Sequence, residues 1–249
     1  MVDKNHYSKY YEKIGENYNK LRLDAHNDME NVVNIIKAYV DKKATILDIG
    51  CGTGKYGELL EKENYKVIGI DKSEIQIIQA KSLIEAYVGD ATFLPFPDAS
   101  FDACTMIIML QQLNDEERLK AFKEAYRVLK PHGILIIKTC SHEDLQVRFT
   151  AQFFPKTLEI DKKRYPDIPV LKDELAIFSQ IETINSQITV KKEKERYIAR
   201  FQERGASNLS FLSDEELEDG INNFKECFKD EDVIEKITKH TFIVARKED

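Results

Sequence analysis

The chain has 249 residues, 42% of them hydrophobic and 33% charged, enough for one sizeable domain or a domain with a cap. Its net charge of -7 disfavours a protein that grips phosphate backbones. The cysteines Cys51, Cys104, Cys140 and Cys227 lack the paired spacing of a zinc site or disulfide framework, and no apolar run is long enough for a membrane span.

Residues 29–40 place Val32, Ile35, Ile36, Tyr39 and Val40 on one face, which predicts an amphipathic helix. TILDIG (45–50) is a short apolar strand that runs into a glycine-rich loop, and a helix follows from about Lys55 to Glu63. KVIGID (66–71) is the next strand, and S-E-I-Q (73–76) has the form of a capping box opening another helix. AYVGD (86–90) and FDACTMIIML (101–110) are further strands, the second apolar enough to be buried on both faces. N-D-E-E (114–117) opens a helix with Leu119, Phe122, Tyr126 and Leu129 on one stripe. KPHG (130–133) is a turn, and ILIIKTC (134–140) is a buried strand. Strands alternating with helices predict a parallel sheet wound by right-handed crossovers.

After Cys140 the rhythm changes. Residues 141–180 read as helical and loop-like, 187–201 as a long strand, S-D-E-E (213–216) as a capping box, and 239–247 as a closing strand. The expectation is a single domain over 1–249, with a cofactor-binding core at 27–140 and closing strands to 247. Lid or cap segments would then occupy 1–26 and 141–230. A soluble, cytoplasmic location is expected.

ILDIGCGTGKYGELL (46–60) packs four of the ten glycines into eight positions. It fits two fingerprints at once. Gly52, Gly54 and Gly57 read as the dinucleotide pattern G-x-G-x-x-G, and Asp48 starts D-x-G-x-G-x-G, a loop that holds S-adenosylmethionine. Glycine permits positive φ and close approach of a ligand, with free N–H groups expected to point outward. Asp71 ends the second strand where a ribose-binding acid belongs, which suits either cofactor. Asp48 separates the two readings, because a carboxylate helps a sulfonium and ammonium ligand but not a pyrophosphate. Asp90 ends the third strand, suited to accept from an adenine amino group beside the N–H of Ala91.

With these residues in place, the chain resembles the class I S-adenosylmethionine-dependent methyltransferases. DIGCGTG (48–54), IDKS (70–73), GDATFLPFPDASFD (89–102) and LKPHGILII (129–137) are similar to that family's motifs, in order, over roughly 44–140. The resemblance implies a Rossmann-like α/β sandwich with a seven-stranded, mostly parallel sheet and an antiparallel last strand. It also implies an N-terminal helical lid and helical insertions after strand 5 and before strand 7. It assigns cofactor binding to Asp48, Gly50, Cys51, Gly52 and Gly54 of the loop, to Asp71 and Lys72, to Asp90 and Ala91, and to backbone at Ile107. Gln111 and Gln112 stand where many relatives carry a histidine pair, and His132 stands where a second glycine is usual.

KIGENYNKLR (13–22) is similar to the segment that relatives fold over the cofactor. Tyr11, Tyr18 and Arg22 share a helical face, either as a lid over the cofactor or as a surface helix. Phe149, Phe153, Phe154 and Tyr165 read as ordinary core before they read as pocket wall. His142 and Gln112 are the candidate catalytic residues, and no metal site is expected. The expected function is methyl transfer from S-adenosylmethionine to a small-molecule O, N or C acceptor by in-line displacement. The alternatives are methylation of a nucleic acid or protein, non-catalytic cofactor binding, and, more distantly, nicotinamide oxidoreduction.

Overall fold

The computed structural model describes Tyr10 and residues 25–248. From the first described helix the elements are α1 (Ala25–Tyr39), β1 (Thr45–Ile49), α2 (Lys55–Lys62), β2 (Lys66–Asp71), α3 (Glu74–Ala80), β3 (Glu85–Val88), β4 (Phe101–Ile107), α4 (Asp115–Val128) and β5 (Leu129–Thr139). There follow α5 (His142–Gln146), α6 (Phe149–Phe153), α7 (Lys156–Arg164), α8 (Ile168–Glu174), β6 (Gln180–Glu193), α9 (Lys194–Gln202), α10 (Asp214–Cys227) and β7 (Val233–Arg246).

One seven-stranded sheet has the order β3-β2-β1-β4-β5-β7-β6, and β7 alone runs against its neighbours. Alternate side chains of the central strands feed two cores, as the period of a strand requires. Ile46, Ala103, Ile134 and Ile136 face Val32, Ile36 and Leu60 of α1 and α2. Leu47, Cys104, Leu135 and Ile137 face Phe122, Ala125 and Leu171 of α4 and α8. With both faces covered, the strands read as continuous apolar runs.

Three sequence readings change. The residues α4 buries are Arg118, Ala121, Phe122, Ala125 and Val128, while Leu119 is exposed. Two small alanines admit the close packing, and the Arg118 guanidinium bonds Glu174 of α8 at 2.7 and 3.0 Å. The long strand expected at 187–201 runs instead from Gln180 to Glu193 and turns into α9 at Lys194. Tyr197, Ile198 and Phe201 bury one face of that helix. KPHG is looped out of β5, opposite Phe101–Ala103, with His132 at φ 61°.

The β6–β7 ribbon is longer than the sheet. β5 pairs with β7 only from Ile134↔Arg246 to Thr139↔Thr241, while β6 follows β7 out to Glu193↔Val233. The overhang joins a separate hydrophobic cluster in which Phe149, Phe154, Tyr197, Phe201 and Phe224 pack together, with Ile234 of β7. These aromatics are the core of a cap. No described helix is long and apolar enough to cross a membrane.

Candidate active site

β1 delivers the chain to the loop at the carboxyl edge of the sheet, where ligands of open α/β sheets bind. Gly50, Gly52 and Gly54 take φ of 74°, 55° and 78°, the left-handed region that favours glycine. A Cβ on Gly54 would lie 3.1 Å from the Ala80 backbone, so the loop is also wedged against α3. A Cβ on Gly52 would meet only the Gln76 side-chain oxygen, at 2.7 Å, so its conformation is the stricter demand there.

The loop amides do not point outward as expected. Gly50 and Cys51 N–H donate to the Ile70 carbonyl at 2.7 and 3.1 Å, and Gly54 N–H to the Cys51 carbonyl at 3.0 Å. Gly52 N–H donates to Asp71 Oδ2 at 2.9 Å. A pyrophosphate would find these four donors already engaged. Beneath them Asp48 is 1% exposed; its Oδ1 accepts from the Thr105 hydroxyl at 2.7 Å, and its Oδ2 is buried with no partner among the described residues. Burial, opposed by the Thr105 bond and reinforced by the Asp71 charge, pushes the Asp48 carboxyl up to about 6.

Asp71 Oδ1 accepts from Ser73 N–H at 2.9 Å, and burial still holds its carboxyl above the ordinary value. Two carboxylates, one with an orphaned oxygen, fit a cationic, hydrogen-bond-donating ligand better than a phosphate. The Cys51 side chain is buried against Gly69, so only its backbone belongs to the loop.

Asp90 Oδ1 accepts from the Thr92 amide and hydroxyl at 2.9 and 2.8 Å, and its Oδ2 meets Lys72 Nζ at 3.3 Å. Burial raises its carboxyl, but the Thr92 bonds and the Lys72 charge outweigh that and leave it below the ordinary value. Half-buried Ala91 lies beside it. Loop, Asp71, Asp90 and Ile107 therefore share one edge of the sheet, and Ile107, at the end of β4, opens onto a cavity of about 220 Å³. Ile108 follows at φ 51°, a strained conformation for a β-branched residue, held by its N–H to the Lys138 carbonyl at 2.9 Å.

The two candidate catalytic residues do not line this cavity. Gln112 is exposed on the short 3-10 turn after β4, whose winding turns Gln111 inward instead; Gln111 Nε2 bonds the Ile108 carbonyl at 2.7 Å. The His142 ring sits one-third exposed on the Tyr165 carbonyl at 2.9 Å, with Asp167 at 3.8 Å. Among the described residues the histidine at the cavity is His240 of β7, whose Nδ1 is 3.6 Å from Asp28 Oδ1. Asp28 also receives the buried Lys138 ammonium and the Tyr56 hydroxyl, the latter at 2.8 Å. Strand parity was the available signal, since His240 shares a face with Phe242 and Val244, which pack toward α1. Phe149 and Tyr165 touch the cavity from the cap, while Tyr11, Tyr18 and Arg22 lie outside the described residues.

Residues 47–137 match the family model for a methyltransferase domain. Demethylmenaquinone methyltransferase of Thermotoga maritima is 32% identical over 144 residues, 54% of this chain and 61% of that one. The tRNA (carboxymethyluridine(34)-5-O)-methyltransferase of Macaca fascicularis is 33% identical over 129 residues, 51% of this chain and 18% of that one. The chain thus spans less than two thirds of either relative. A solved structure from Thermotoga maritima, described as a SAM-dependent methyltransferase and possible histamine N-methyltransferase, superposes with a TM-score of 0.61 at 21% identity, covering 96% of this chain and 98% of that one. Motif order, sheet order and the family match agree, and residues 47–137 carry a methyltransferase domain within a Rossmann-like fold.

Proposed function

We propose that the protein transfers a methyl group from S-adenosylmethionine to a small molecule held in the cavity beyond β4. The observation that carries this is the pairing of an acidic loop, its amides internally engaged, with a cavity that begins at Ile107. When bound, S-adenosylmethionine supplies a methyl group already activated on a sulfonium. Asp71 would accept from ribose hydroxyls, the Asp90–Ala91 corner would meet the adenine, and Asp48 would balance the cationic methionine part. The cap and the β6–β7 ribbon exclude water and hold the acceptor in line, where orientation supplies several kcal/mol. His240, steered by Asp28, takes the proton that the acceptor gives up.

The macaque relative's name concerns a tRNA, but the acidic balance and a cavity of about 220 Å³ favour a small acceptor. Calorimetry with S-adenosylmethionine, S-adenosylhomocysteine and NAD tests the cofactor: the first two bind and NAD does not. NAD binding in their place sinks the reading. Once an acceptor is in hand, His240→Ala lowers kcat by about 10²–10⁴ with cofactor affinity unchanged; an unaltered kcat removes His240 from the chemistry.

A further inference from the structure

The proposed acceptor cavity carries its own pattern of unmet polar groups. Gln111 is 6% exposed, and its Nε2 is committed to the Ile108 carbonyl, which fixes Oε1 as a buried acceptor with no partner among the described residues. Asn208 is 3% exposed, and its Nδ2 donates to Asp161 Oδ2 at 2.8 Å, which fixes Oδ1 in the same unpartnered role. In each case the neighbouring oxygen dictates the amide orientation. Both residues line the cavity, one from the β4 turn and one from the cap. Two buried carbonyl oxygens without partners, on residues that line one cavity, favour a ligand that donates hydrogen bonds.

The charges are uneven as well. Arg148 is held by Asp161 at 2.6 Å, and Asp161 is shared further with Arg164. Asp28 is shared among Lys138, Tyr56 and His240, and Asp144 Oδ2 accepts from the Thr241 hydroxyl at 2.7 Å. Arg200 of α9 also lines the cavity, yet its Nε is buried without a partner, and no carboxylate pairs with it among the described residues. A half-buried arginine at the cavity without a paired carboxylate is open to an anion that a ligand supplies. About 220 Å³ is small for a ligand pocket and suits a compact ligand.

Building on the methyl-transfer reading, we propose that the acceptor is a small zwitterion. Its amino group is read by Gln111 and Asn208, and its carboxylate or phosphate is held by Arg200. The proposal separates this chain from quinone-type acceptors, which offer neither an amine nor an anion.

Calorimetry in saturating S-adenosylhomocysteine tests it with four probes: O-phosphoethanolamine, β-alanine, ethanolamine and menadione. One of the two anionic amines binds about tenfold or more tightly than ethanolamine, and menadione does not bind. Which of the two wins decides between phosphate and carboxylate. Arg200→Met brings that preference to within about twofold while S-adenosylhomocysteine affinity stays constant, which also reports an intact fold; Arg200→Lys keeps part of the preference. Gln111→Leu weakens all three amines alike and leaves the preference for the anion. Menadione binding best, a preference that survives Arg200→Met, or no probe binding at all overturns the proposal. Failure of S-adenosylhomocysteine itself to bind instead overturns the cofactor reading beneath it.

Discussion

Burying Asp48 at the end of β1 gives the loop a carboxyl that titrates at about 6 instead of the ordinary 3.8. Below about pH 4 the group is protonated both folded and unfolded, and it costs nothing. As pH rises from about 4 to about 6 the unfolded chain ionises while the buried carboxyl keeps its proton, and stability on the order of 3 kcal/mol is lost, with no further change once the folded group has ionised. A cation bound over the loop reverses part of that cost, because it favours the ionised form. Affinity for S-adenosylmethionine should therefore rise by about tenfold between pH 5 and pH 7.5, and Asp48→Asn should flatten that slope. Calorimetry across the range checks this, and a flat profile in the unmodified protein takes Asp48 out of the site. The same substitution should raise the melting temperature at neutral pH and leave it unchanged near pH 4.

Among the elements, α10 is the most exacting at one glycine. A Cβ on Gly220 would lie 2.2 Å from two atoms of the Phe154 ring and 2.8 Å from the Phe153 carbonyl. Helix propensity alone favours alanine there by about 1 kcal/mol. Overpacking against a ring buried at 2% exposure and against fixed backbone is the larger effect, about 1–3 kcal/mol. Gly220→Ala should lower the denaturation midpoint, and Phe154→Leu should recover part of the loss in the double variant. An alanine variant as stable as the parent means α10 and α6 cross less closely. This crossing was invisible in the sequence, because a close approach of two helices leaves no periodic mark. The sheet left one at every step: TILDI, KVIGID and the glycine loop announce strand, turn and helix through local chemistry, and β1, β2 and the Asn114 cap stand where they were read. Leu119 was misplaced on the buried stripe because Arg118 beside it is buried instead, through a partner 56 positions away. The cofactor edge was legible for the same local reason that the strands were. His240, Asn208 and Arg200 were not, since only the folding of the ribbon and cap over β4 brings them to one cavity.

At the scale of the whole molecule, two hydrophobic bodies share one cavity. The sheet and its flanking helices hold two large cores, whereas the cap holds the aromatic cluster around Phe224. Ile107 and Gln111 reach the cavity from the first body, Arg200 and Asn208 from the second, and the β6–β7 ribbon joins them. Cooperative units of this kind open separately when their cores are separate. Amides of α9 and α10 should therefore exchange with deuterium through a sub-global opening, faster than those of β1, β4 and β5. S-adenosylhomocysteine alone should protect the loop and β4 and change the cap little, because its contacts lie on the sheet edge. An acceptor probe added to that complex touches both bodies and should slow exchange in α9 and α10 as well. Hydrogen exchange followed by mass spectrometry reads all three states. Uniform exchange of cap and sheet in the free protein would mean that they unfold as one unit, and the cavity would then be a fixed cleft that opens by no motion of the cap.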